Sequence, residues 1–196
     1  MLSKKISALL ATVALATILT GCSTVEKIDT PAGEAEAAVE ETTETAAEEG
    51  TRDNPAALGS TVEIGDNAGP QFQVTISDVN LDAGDVIAKA NQFNDPAEDG
   101  MQFVTAAVTY TYVGDETGNP WLDVQIEFVS AAGTTHTTGD AFVVGPEPEI
   151  TSINEMYNGA TETGNIVLMV PSADIEAGTF SISSLFGSEK YFISVV

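Results

Sequence analysis

Strict alternation of apolar and polar residues is the feature that most constrains the fold of this chain. In residues 104–112 the apolar members Val104, Ala106, Val108, Tyr110 and Tyr112 alternate with three threonines and one alanine. A period of two places alternate side chains on opposite faces of a β-strand, so this segment predicts a strand with one buried face. The same argument predicts strands within residues 72–76, 122–128 and 191–195.

Turn residues and further strands complete an all-β pattern. Residues 166–170 form a short apolar run typical of a buried strand, and residues 61–64 and 179–182 are weaker strand candidates. Glycine, proline and asparagine occur between these segments, as in Asn158-Gly159. About seven short strands separated by turns predict an antiparallel β-sandwich. The single helical candidate is residues 85–93, and a loop that contains a helical turn is the alternative.

The amino terminus predicts a lipoprotein signal peptide. Lys4 and Lys5 precede an apolar run over residues 6–19, which is too short for a permanent transmembrane helix. Leu19-Thr20-Gly21-Cys22 then resembles the lipobox of bacterial lipoproteins. The resemblance implies a diacylglyceryl thioether on Cys22, with fatty chains such as palmitate, and cleavage just before it. We expect residues 1–21 to be the signal peptide and the mature protein to be lipid-anchored at the extracellular face of the cell membrane. The alternative is an ordinary secretory peptide.

Residues 22–57 predict a lipidated cysteine followed by an acidic tether. The segment is rich in Glu, Ala and Thr and has no aromatic residue. Such a composition buries too little apolar surface to offset the entropy of ordering, so we expect disorder. A helix over residues 33–49 is the alternative, and like charges four residues apart oppose it. The β-sandwich domain is then predicted to occupy residues 58–196.

The charge balance restricts the possible partners. The chain has six Lys+Arg against 30 Asp+Glu, for a formal net charge of −24. This surface repels phosphate backbones, so nucleic acid is excluded as a partner. The negative electrostatic potential around such a chain favours cations as partners. Because the sequence has one cysteine, no intramolecular disulfide can form, and the core must supply the stability.

Several motifs in residues 55–196 resemble one family. Leu58-Gly59-Ser60-Thr61-Val62 opens the segment, and Phe93-Asn94-Asp95-Pro96, Pro120-Trp121-Leu122 and Val170-Pro171 follow in order. The pattern is similar to a domain of unknown function on Gram-positive and actinobacterial lipoproteins, related to a secreted mycobacterial immunoprotective antigen. The resemblance implies an immunoglobulin-like β-sandwich at the cell surface. It implies no activity, because the family has no established activity to carry over.

Candidate metal and catalytic residues are few. Acidic residues crowd three loops, and Asp95 and Asp99 are the candidate ligands if calcium orders one of them, since calcium takes six to eight oxygens. A surface that is merely acidic is the alternative. His136 is the single histidine. A hydrolase would need it beside a serine such as Ser130 and an acid such as Asp140, and no nucleophile motif accompanies it. We therefore predict no enzyme and no cofactor other than this possible calcium.

Aromatic residues near the predicted loops are the candidate binding residues. Trp121, Tyr157 and Phe142 could form a recognition patch, but a place in the core or as a lid on it is favoured for Trp121, which follows Pro120 and begins a predicted strand. The long connection over residues 142–157 is a further place for binding residues. The sequence therefore predicts a non-enzymatic interaction domain for a surface protein, a wall polymer or a small ligand. The alternatives are a calcium-dependent module and a hydrolase.

Overall fold

Short strands make up most of the regular structure. A computed structural model describes residues 48–185 and 187–196. The signal peptide, Cys22 and tether residues 23–47 lie outside the described residues. In chain order the elements are β1 (Thr61–Asp66), β2 (Gly69–Asn80), α1 (Gly84–Ala90), β3 (Met101–Tyr112), β4 (Thr117–Gly118), α2 (Pro120–Asp123), β5 (Val124–Val129), β6 (Thr135–Thr137), β7 (Met156–Tyr157), β8 (Thr161–Pro171), β9 (Thr179–Ser184) and β10 (Lys190–Ser194).

Two four-stranded antiparallel sheets form the sandwich. The first has the strand order β1-β2-β3-β8 and the second the order β10-β9-β5-β6. A small ladder pairs β4 with β7. Buried residues of both sheets, such as Val108 of the first and Ile182 of the second, belong to one apolar core. The predicted all-β, immunoglobulin-like antiparallel sandwich is therefore confirmed.

The alternating pattern of β3 decides which face of the first sheet is buried. Val104, Ala106, Val108, Tyr110 and Tyr112 are all buried. Phe72 on β2 lies opposite Tyr112 in the ladder, and the two rings meet edge to face with centroids 5.0 Å apart. The register of the strands thus brings aromatic rings together at one end of the core.

Tyr110 is the buried residue that the core accommodates least well. Within the described residues its hydroxyl has no hydrogen-bond partner, and burial raises its pKa. A buried hydroxyl without a partner costs free energy, so we expect Tyr110→Phe to leave the free energy of unfolding unchanged or raise it by up to about 1 kcal/mol. Urea denaturation near neutral pH measures this.

The same variant tests the pH dependence of stability. The pKa of Tyr110 is higher in the folded than in the unfolded state. The contribution of Tyr110 to the free energy of unfolding is therefore constant below the ordinary tyrosine pKa of about 10 and falls as the pH rises above that value. We therefore expect the wild-type protein to lose more stability than Tyr110→Phe in that alkaline range. Equal losses would show that Tyr110 is not buried as described.

The predicted strand over residues 122–128 is confirmed from Val124 onward and wrong at its first two residues. Pro120–Asp123 form helix α2, and β5 begins at Val124. Asn119 caps this helix, because its side chain accepts a hydrogen bond from the Trp121 amide at 3.0 Å while its own amide donates to Asp123 at 2.7 Å. Local capping thus overrides the alternating pattern and leaves Leu122 61% exposed.

Helix α1 and a small second core lie on the outer face of the first sheet. The candidate helix over residues 85–93 is observed as α1, Gly84–Ala90, so it ends before Phe93. Ile87 of this helix packs with Ala83 and Phe103 in a separate buried cluster. The connection between β2 and β3 is therefore a folded part of the domain.

Residues 50–57, assigned to the tether in the sequence analysis, lie against the sandwich. Gly50 accepts a hydrogen bond from the Phe192 amide, and Ala56 forms a parallel bridge with Ile193. Ala56 is also part of the core. The folded domain thus begins before residue 58, because backbone pairing at the β10 edge orders a segment whose composition is polar. No helix in the described part of the chain is long and apolar enough to cross a bilayer.

Candidate functional site

The candidate calcium ligands lie in one exposed connection. Asp95 and Asp99 lie in the connection between α1 and β3, and both are exposed. Among residues 48–185 and 187–196 there is no group of three acidic, histidine or cysteine side chains that could hold a metal ion. The geometry of the described residues therefore gives no support to the calcium site.

The side chain of His136 contacts a threonine. Its Nε2 atom lies 3.1 Å from the Thr134 hydroxyl, and that hydroxyl lies 2.7 Å from Ser130 Oγ. The Asp140 carboxylate accepts a hydrogen bond from the backbone amide of Thr137. Ser130, His136 and Asp140 are thus engaged separately, and no direct hydrogen bond joins His136 to either of the other two in the described structure.

Two of the three candidate aromatic residues lie at one end of the sandwich. Tyr157 is 63% exposed and pairs with Thr117 in the β4–β7 ladder. Trp121 follows shortly after β4 in α2 and is 44% exposed. Phe142 is also exposed, but it adjoins Val143, which packs against the second core rather than against this end.

A cavity of about 790 Å³ lies at this same end. The β1–β2 hairpin, the β3–β4 connection and α2 form its walls. Phe72, Tyr112 and Ile64 lie beneath it at the margin of the core. Its acidic lining residues are Glu63, Asp66, Asp115, Glu116 and Asp123, and no lysine or arginine lines it.

The electrostatics at Tyr112 show how closely these acids are placed. The Tyr112 hydroxyl donates a hydrogen bond to Gln71 Oε1 at 3.1 Å. Burial raises the pKa of Tyr112, and the negative charges of Asp123, Glu116 and Asp115 raise it further. Carboxylates from two segments therefore act on one hydroxyl at the base of the cavity. We name this the acid-lined cavity.

Three of its five acidic residues also have structural roles, whereas the other two do not. Glu63 accepts a hydrogen bond from the Gln73 side chain, Asp66 accepts one from the Ala68 amide in the hairpin, and Asp123 caps α2. The side chains of Asp115 and Glu116 are exposed and make no hydrogen bond in the described structure. Asp115 and Glu116 are therefore the carboxylates best placed to meet a ligand.

A glycine keeps one wall of the cavity close to the aromatic rings. A Cβ atom at Gly118 would lie 2.6 Å from the Tyr112 ring and 2.7 Å from the Phe72 ring. Side chains do not approach rings so closely, so only glycine lets β4 pack there. The shape of the cavity thus depends on β4, which the β4–β7 ladder holds in place.

The arrangement suits an organic cation better than a metal ion. A volume of about 790 Å³ lies within the usual range for small-molecule sites. The acids surround the cavity without forming a three-ligand metal group in the described residues. Carboxylates spread around a concave surface can instead meet amino or guanidinium groups that are spread along a ligand.

The residues that line this cavity differ from the binding residues that the sequence predicts. The sequence analysis identified Trp121 and Tyr157 as candidate binding residues, and both are exposed at this end. It did not connect the acids of the β1–β2 hairpin with Asp115 and Glu116, which come about 50 residues later. The pairing of β2 with β3 brings the two groups of acids together, and no local pattern in the sequence predicts that pairing.

Comparisons with known proteins concern the fold alone. No family model and no curated protein sequence matches the chain. Among solved structures, MPT63, a secreted protein from Mycobacterium tuberculosis, is 18% identical with a TM-score of 0.48 and covers 71% of this chain and 97% of its own. The yjhA protein from Bacillus subtilis is 12% identical with a TM-score of 0.45 and covers 71% of this chain and 98% of its own.

A third match is an uncharacterized β-sandwich protein from Clostridium difficile 630. It is 16% identical with a TM-score of 0.43 and covers 72% of this chain and 94% of its own. The presence of MPT63 agrees with the family resemblance inferred from the sequence. At this similarity the matches say nothing about activity. The described structure itself defines the class: an antiparallel β-sandwich domain with an acid-lined cavity at one end.

Proposed function

We propose that this protein is a lipid-anchored extracellular lipoprotein whose domain is a non-enzymatic binding module for a basic polypeptide segment. The acid-lined cavity carries the proposal, because five carboxylates and no base line it. The partner is a protein rather than a free ion, since the exposed aromatic residues Trp121 and Tyr157 lie at the same end. Aromatic side chains beside charges are common anchors of protein interfaces.

The sequence supports the location. Lys4, Lys5 and the short apolar run precede Leu19-Thr20-Gly21-Cys22, which together form a lipoprotein signal. Two acyl chains on Cys22 would hold the mature protein firmly at a membrane. The net charge opposes direct adsorption of the domain to anionic lipid head groups. The domain would then be free to present its acidic end to partners.

The proposed interaction is electrostatic in origin, which makes it sensitive to charge and salt. Complementary charge steers association and sets specificity, and salt screens it. A pentalysine peptide is a suitable probe, with pentaglutamate as its counterpart of opposite charge. We expect pentalysine to bind and pentaglutamate not to bind, with weaker binding as ionic strength rises.

Neutral variants at the cavity test the site. We expect the double variant Asp115→Asn, Glu116→Gln to weaken pentalysine binding about three- to tenfold, because each carboxylate–ammonium contact contributes up to about 1 kcal/mol. Isothermal titration calorimetry on the domain at low salt measures the dissociation constant. Because both residues are exposed and neither side chain is hydrogen-bonded, folding should be unaffected.

A matched control separates the cavity from the overall charge. Asp174→Asn, Glu176→Gln removes two charges at the 3-10 turn Ile175–Ala177, which precedes β9 and lies away from the cavity lining. Asparagine tolerates the left-handed conformation that Asp174 adopts. We expect this control to change binding less than about twofold. Equal weakening by both double variants would show that net charge, not the cavity, attracts the peptide.

A further inference from the structure

A second cavity, of about 490 Å³, lies beside α1 and the start of β3. It does not share any lining residue with the acid-lined cavity. Most of its wall is apolar, formed by Ile87, Ala88, Pro96, Ala97, Met101 and Phe103. Ile87 and Phe103 belong to the second core, so part of the wall is fixed by packing.

The loop that closes one side of this cavity is held by hydrogen bonds. Asn94 pairs with Val144 in both directions, since its Nδ2 donates to the Val144 carbonyl at 2.8 Å and its Oδ1 accepts from the Val144 amide at 2.9 Å. Nδ2 also donates to the Ile87 carbonyl at 2.8 Å, which ties the loop to α1. The cavity is therefore formed before any ligand binds, which lowers the cost of binding.

The polar side chains at the margin of the cavity differ in whether they already have hydrogen-bond partners. The amide nitrogen of Gln102 already donates to the Leu81 carbonyl, and Asn94 is fully engaged. Asp82 and Asp95 line the cavity, and in the described structure neither carboxylate has a hydrogen-bond or ion-pair partner. The margin thus presents acceptors with negative charge to a ligand.

We infer that this cavity binds a small apolar molecule that carries an amino group. The apolar wall would take the hydrocarbon part and the carboxylates of Asp82 and Asp95 the ammonium group. Burial of hydrocarbon supplies the affinity, and the charges select the head group. This site goes beyond the proposed function, because it lies in a different part of the domain and takes a ligand with an apolar body.

Octylamine, octanol and octanoate are the probes, since they share one hydrocarbon chain. Titration calorimetry on the domain near neutral pH should give the tightest binding for octylamine, weaker binding for octanol and the weakest for octanoate. The double variant Asp82→Asn, Asp95→Asn should bring octylamine and octanol to within about twofold of each other. Absence of octylamine binding, or octanoate binding as tight as octylamine, would overturn the inference.

Two substitutions on the same helix test the location. Ala88 lines the cavity and is exposed, so Ala88→Phe should fill it and weaken octylamine binding at least about tenfold. Ala90 is also exposed on α1 but does not line the cavity, so Ala90→Phe should leave binding within about twofold. Equal effects of the two variants would contradict the site, provided that their melting temperatures agree.

The outcome is independent of the proposed peptide site. The variant Asp115→Asn, Glu116→Gln should bind octylamine as the wild-type domain does, because both residues belong to the other cavity. Loss of octylamine binding in that variant would show that one acidic surface accounts for both results, and would overturn this second site.

Discussion

Replacement of Phe72 by alanine is expected to lower the free energy of unfolding by about 3–5 kcal/mol. Phe72 is 1% exposed and makes edge-to-face contacts with Tyr110 and Tyr112, with ring centroids 6.4 and 5.0 Å away. Truncation would leave a cavity between the sheets that the surrounding strands cannot fully close. Because Phe72 and Tyr112 also lie beneath the acid-lined cavity, the same change should weaken pentalysine binding.

Chemical denaturation followed by circular dichroism measures this loss. Phe93→Ala is the matched control, because Phe93 is 82% exposed and its truncation should change stability by no more than about 0.5 kcal/mol. A loss below about 1 kcal/mol for Phe72→Ala would mean that the two sheets do not pack through this ring as described.

The strands were predictable where one face is buried against the other sheet. In β3 every second residue from Val104 to Tyr112 enters the core, so the alternation in the sequence reports burial directly. The short strands β4 and β7 have two residues each and give no such pattern. Their pairing depends on tertiary packing, which a periodicity argument cannot detect.

Leu122 shows where the same argument fails. Its position continues the alternation of Val124, Ile126 and Phe128, yet it lies in α2. Pro120 near the start of that helix and the capping bonds of Asn119 and Asp123 decide the local backbone. In the sequence, Pro120 followed three residues later by Asp123 favours a helical turn at this point.

The candidate site was predictable only in part, for a related reason. Trp121 and Tyr157 stood out because large aromatic residues beside turns are frequent at binding surfaces. The acids of the β1–β2 hairpin and of the β3–β4 connection meet through the register of β2 with β3, in which Phe72 opposes Tyr112. Register is a long-range property, and in so acidic a chain each local group of acids resembles ordinary surface.

Replacement of Cys22 by serine is expected to abolish lipidation. A serine hydroxyl does not replace a thiol in forming a thioether, and Cys22 is the single cysteine of the chain. Cells that express Cys22→Ser and are fed an alkyne-labelled palmitate should show no label on this protein. Thr24→Ala is the control, since it leaves the lipobox intact and should be labelled as strongly as the wild-type protein.

Mass spectrometry of the natural mature protein tests the anchor most directly. The account predicts an amino-terminal peptide that begins at Cys22 and carries the mass of a thioether-linked diacylglycerol. It also predicts that no peptide from residues 1–21 remains attached. An unmodified Cys22 thiol, or a mature chain that still contains residues 1–21, would contradict the claim that this domain is held at the outer face of a membrane by lipid.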